Sequence, residues 1–70
     1  MSKELTEEVG ETAGKVWHLL SEAGPQTVTQ LRKKVDASSD LISFGLGWLA
    51  REDKIRISLD RRTVRVELKQ

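Results

Sequence analysis

The last third of the chain alternates with a period of two. Ile55, Ile57 and Leu59 are separated by Arg56 and Ser58, and Val64, Val66 and Leu68 by Arg65 and Glu67. Such alternation marks strands with one face buried. If the two runs pair antiparallel at positions that sum to 123, Ile55 faces Leu68, Ile57 faces Val66 and Leu59 faces Val64. All six apolar side chains then share one face, and Arg56 lies opposite Glu67. A slip of one residue breaks both matches, so the pattern itself specifies the register. Arg61-Arg62 lacks the Gly or Asn that a two-residue turn favours. A four-residue loop from Asp60 to Thr63, exposed and basic, is therefore expected.

A greasy ribbon face needs something to cover, and three helical segments precede it. From residue 4 to 23, Leu5, Val9, Ala13, Val16, Leu20 and Ala23 recur at three- and four-residue steps, with Trp17 and Leu19 beside them. Ser2 or Thr6 is the expected cap, and Gly24-Pro25 the stop. Trp17 is expected to pack inward, because this helix must face the other two. Gly10 and Gly14 share a face, where their lack of a side chain either allows close approach of another backbone or is simply tolerated. Thr27 with Gln30 fits a capping box for a short second helix carrying Val28, Leu31 and Val35. A third helix starts at Ser38 or Ser39, carries Ile42, Leu46 and Leu49 inward, runs to about Glu52 and breaks at Asp53-Lys54. A short strand at Gln26-Thr27 is expected to join the hairpin as a third strand.

Helix, helix, tight turn, helix and hairpin is the order of an α+β winged helix-turn-helix domain, and the 70 residues make one such domain, 1–70. Composition closes other routes. The chain has no Cys and a single His, His18, which removes disulfides, thiolate metal sites and paired-histidine chemistry. His18 reads as a surface residue. No Walker loop or dinucleotide fingerprint occurs, and a core this small is not expected to enclose a substrate pocket of about 300 Å³. The expectation is a non-enzymatic protein with no catalytic residue, cofactor, metal or small-molecule substrate. No run approaches a membrane span, and Met1-Ser2-Lys3-Glu4 carries no signal-peptide pattern, so the expected setting is the cytoplasm, away from membranes.

Two segments carry a family resemblance. Leu46-Gly47-Trp48-Leu49-Ala50-Arg51-Glu52-Asp53-Lys54-Ile55 resembles a signature of short, uncharacterised winged helix-turn-helix proteins of bacteria and archaea. Gly10-Glu11-Thr12-Ala13-Gly14-Lys15-Val16-Trp17-His18-Leu19-Leu20 is similar to that family's N-terminal pattern. The resemblance spans nearly the whole chain and implies the fold, but no ligand or activity.

Charge then indicates which surface is available. Residues 1–24 carry a net −3, residues 25–50 a net +1 and residues 51–70 a net +3, for a total of +1. An acidic start and a basic end fit an anionic partner for the C-terminal half. In helix-turn-helix docking the third helix here would read bases. Its outer face offers the hydroxyls of Ser38, Ser39 and Ser43, but also Asp40, Leu41 and Phe44, with Arg51 far along it. It lacks the Arg, Lys, Asn or Gln that base reading favours. Better anion contacts are Arg61 and Arg62 at the hairpin tip, Arg56, Arg65 and Lys69 on its outer face, and Arg32, Lys33 and Lys34 on the second helix. The first reading is thus a regulator-like module that binds DNA weakly or without sequence specificity, through wing and backbone contacts. The same cations also suit a solvated edge strand. The alternative reading is a protein-interaction or self-associating module, a homodimer for example. There Leu41, Phe44 and Trp48 on one flank of the third helix serve as anchors, unless Trp48 packs beneath the first helix or the hairpin.

Overall fold

A computed structural model describes residues 4–69. The elements are α1 (Thr6–Ala23), β1 (Gln26–Thr27), α2 (Val28–Lys34), α3 (Ser39–Arg51), β2 (Ile55–Asp60) and β3 (Thr63–Leu68). The strands form one antiparallel sheet in the order β1-β3-β2. Three helices and a three-stranded sheet in this order make the winged helix-turn-helix fold, and β2–β3 is its wing.

Local chemistry places each helix. Thr27 and Gln30 cap α2 reciprocally: the Thr27 amide donates to Gln30 Oε1 at 2.8 Å, and the Gln30 amide donates to Thr27 Oγ1 at 3.0 Å. Ser38 caps α3, its hydroxyl accepting from the Leu41 amide at 3.2 Å. Gly24, at φ 81°, ends α1 with its amide on the Leu20 carbonyl at 3.0 Å. The start of α1 differs from expectation. Leu5 is the capping residue and makes no side-chain bond, and Thr6 donates to Glu4 instead. Ser2 lies outside the described residues. α3 ends at Arg51, and Asp53 turns the chain into β2 at φ 61°.

The core is Ala13, Val16 and Leu20 of α1, Leu31 and Val35, then Ile42, Leu46 and Leu49 of α3, closed by Ile55 and Val66 of the sheet. α1 and α3 approach closely at Gly45. A Cβ there would lie 3.2 Å from the Ala13 nitrogen and 3.4 Å from its Cα. Gly10 and Gly14 are exposed, with nothing among the described residues within 4 Å of where a Cβ would stand, so the pair is tolerated rather than a point of close backbone approach.

The hairpin has the register read from the sequence, unbroken from Ile55↔Leu68 to Asp60↔Thr63. β1 adds Gln26↔Val66 and Thr27↔Arg65. Two expectations fail. The connection is a tight two-residue turn, Arg61-Arg62, rather than a four-residue loop. Arg61 adopts the left-handed conformation (φ 61°) that Gly or Asn would have signalled. The apolar face also covers the core only at its base. Ile55 and Val66 are buried and Leu68 is partly buried, whereas Ile57, Val64 and Leu59 are exposed, Leu59 by 72%. Six-residue strands span about 20 Å, more than this small bundle needs as a lid. The molecule measures 41 × 23 × 20 Å, and its long axis exceeds the roughly 27 Å of an 18-residue helix.

Candidate nucleic-acid interface

The wing gathers four arginines. Arg56 and Arg65 occupy the face of the ribbon opposite Ile55 and Val66. Because Arg56 opposes Glu67 and Ser58 opposes Arg65, the two arginines are diagonal neighbours, about 7–8 Å apart by strand geometry. Arg61 and Arg62 form the turn one step beyond Asp60 and Thr63. All four are exposed. None of their side chains makes a hydrogen bond or ion pair among the described residues, so their charge is not spent on their own carboxylates. Asp60 and Glu67 share the polar face and moderate its potential.

The other cations of the sequence reading divide. Lys69 pairs with Asp53 across the base of the hairpin. Lys34 donates to Gln26 Oε1 at 3.0 Å. Gln26 is buried and its amide nitrogen reaches the Gly24 carbonyl at 3.4 Å, so Lys34 ties α2 to β1. The side chains of Arg32 and Lys33, on the last turn of α2, have no partner among the described residues. There they also complement the negative end of the helix dipole.

The outward face of α3 is as chemically mixed as its sequence implies. Ser39, Asp40, Ser43 and Phe44 are exposed, Leu41 is half-buried, and the Ser38 hydroxyl is occupied as a cap. Three hydroxyl residues beside a carboxylate and a phenyl ring give this helix little to read base edges with.

The aromatic side chains overturn an expectation. Trp17 does not enter the core but is 42% exposed; Trp48 is 48% and Phe44 54% exposed. The helices meet through small residues, Gly45 against Ala13, leaving no interior space wide enough for an indole. Trp17 and Trp48 instead wall an open groove of about 370 Å³ between α1 and α3, with Gly10 and Gly14 along it and Leu49 and Lys54 at its side. This groove is not among the sequence-based expectations, although its signal is present: Gly10, Gly14 and Trp17 lie at four- and three-residue steps on one helical face. The volume exceeds the limit expected for so small a chain, but the groove is open to solvent. His18 lies on the surface, 3.3 Å from Glu22. Among the described residues no cluster of His, Asp or Glu suits a metal ion, and no helix is long and apolar enough to cross a membrane.

The element order and sheet topology define a winged helix-turn-helix protein. Residues 1–68 match the model of the winged helix-turn-helix domain family DUF2582, and the chain belongs to that family. It is similar to the uncharacterized protein MJ1608 of Methanocaldococcus jannaschii, at 42% identity over 64 residues, 87% of this chain and 90% of that protein. It is also similar to the solution NMR structure of protein BT2368 from Bacteroides thetaiotaomicron. That match has a TM-score of 0.81 and 35% identity, and covers 93% of this chain and 79% of that one.

Proposed function

We propose that the protein is a non-enzymatic, regulator-like module that binds nucleic acid through its wing and through backbone contacts, with little sequence discrimination. The observation that carries this reading is the set of four wing arginines, exposed and unpaired within the described chain. Phosphate contacts position a protein on a duplex without reading sequence, and a wing of this composition supplies such contacts. Arg32 and Lys33 add a second, smaller set. The weak chemistry of α3 and a net charge of +1 both point to modest affinity. The test is a titration of labelled duplex DNA at low and moderate salt. The native chain binds at low salt, and the Arg61→Ala/Arg62→Ala variant binds markedly more weakly. Equal binding by the two proteins, or none by either, removes the reading.

The exposure of Phe44 and Trp48 favours a second reading, a protein-contact or self-associating module that uses the Leu41/Phe44/Trp48 flank. Sedimentation of the native chain and of Trp48→Ala across concentration tests it. A native chain whose association Trp48→Ala leaves unchanged counts against this flank.

A further inference from the structure

The β2 edge of the sheet is open, and its backbone shows which groups are free. The Lys69 amide donates to the Lys54 carbonyl at 2.9 Å, so Lys54 directs its backbone toward β3. Directions alternate along a strand. Arg56, Ser58 and Asp60 therefore also point to β3, while Ile55, Ile57 and Leu59 point their N–H and C=O groups away from the sheet. β2 is the outer strand and residues 56–60 are all exposed. Three of the usual protections of such an edge are absent: the strand contains no proline, its register has no bulge, and no charge interrupts its apolar face, so that its charges, Arg56 and Asp60, stand only on the polar face.

We infer that β2 pairs antiparallel with β2 of a second copy of this chain, about a two-fold axis at Ile57, to form a continuous six-stranded sheet. Two matches select this occupant and this register. With Ile57 opposite itself, Ile55 meets Leu59 of the second copy, and both rows of free backbone groups come face to face in hydrogen-bonding pairs. Leu59, the most exposed large apolar residue described, then lies against the rim of the other copy's core at Ile55. On the polar face Lys54 lies opposite Asp60 of the second copy, twice by symmetry, and Arg56 is diagonal to that same Asp60. The alternative register centred on Ser58 pairs Arg56 with Asp60 but sets Lys54 beside Arg62, two like charges. A short two-strand seam is small for a protein interface, so the association is transient rather than permanent. The inference is independent of the nucleic-acid reading, and its test contains no DNA.

Sedimentation equilibrium of the native chain, Lys54→Asp, Asp60→Lys and the double variant, between roughly 10 μM and 1 mM, tests the pairing. Both positions are exposed, and circular dichroism checks that each variant is folded. Each single variant sets like charges opposite each other in two symmetric pairs and weakens association by about tenfold. The double variant restores opposite charges and returns to within about threefold of the native value. Trp48→Ala leaves association unchanged, which separates this edge from the α3 flank. A native chain that stays monomeric throughout overturns the inference. So do single variants that associate like the native chain, a double variant as weak as the single ones, or loss of association in Trp48→Ala.

Discussion

Arg61 holds a backbone conformation that an L side chain adopts at a cost. At φ 61° its Cβ crowds the neighbouring carbonyl, a strain of roughly 1–2 kcal/mol that glycine does not bear. Arginine persists there although Gly or Asn would form the same turn more cheaply. The position therefore combines local strain with an exposed charge at the farthest point of the wing, the combination expected where a side chain is kept for contact rather than for folding. Arg61→Gly separates the two. We expect the variant to be more stable than the native chain by about 0.5–1 kcal/mol, read as a higher denaturation midpoint with an unchanged denaturant slope. Its affinity for duplex DNA falls at the same time. A variant that is destabilised shows instead that the guanidinium supports the turn.

At the scale of the element, the hairpin is two structures joined end to end. Its base belongs to the core, because Val66 is fully buried and Ile55 nearly so; its outer half belongs to the surface. Val66→Ala removes two buried methyl groups and leaves a cavity, so we expect a loss of about 2 kcal/mol or more in a denaturant titration. Leu59→Ser, on the same face two residues nearer the turn than Ile57, the partner of Val66, changes stability by less than about 0.5 kcal/mol. Equal losses at the two sites would mean that the whole ribbon face is packed in solution. This division marks where the sequence stopped being legible. The register was readable because period-two alternation admits one pairing that satisfies both faces at once, and the Thr27–Gln30 box was readable because it is a local contact. How far the helices reach beneath the ribbon is a tertiary quantity. It depends on the α1–α3 spacing that Gly45 sets against Ala13, and no alternation along the strands encodes it. The same spacing excludes Trp17 and Trp48 from the interior, against the usual habit of an indole on an amphipathic helix. The candidate contact residues were legible as cations, but which remain free was not. That depends on partners distant in sequence, Asp53 for Lys69 and Gln26 for Lys34.

For the molecule as a whole, charge position matters more than charge total. The net charge is only +1, yet the N-terminal helix region is acidic and the wing region basic. Long-range attraction by net charge alone would give almost no binding, and attraction localised at the wing would give a definite salt dependence. Engagement of about four phosphates by the wing corresponds to a slope of log affinity against log salt near −3.6. Removal of Arg61 and Arg62 takes away two of those contacts, lowers the slope to about −1.8 and takes the net charge from +1 to −1. Lys15→Glu on α1 produces the same net charge of −1 by one substitution at an exposed site far along the chain from the wing. If the wing is the contact surface, Lys15→Glu keeps a slope near −3.6 with a small, uniform loss of affinity, because no phosphate contact has gone. If binding instead follows the overall charge, the two variants weaken alike and their slopes fall together. Parallel salt titrations of the three proteins on one duplex therefore distinguish a wing that grips phosphate from a chain that is merely less acidic at one end.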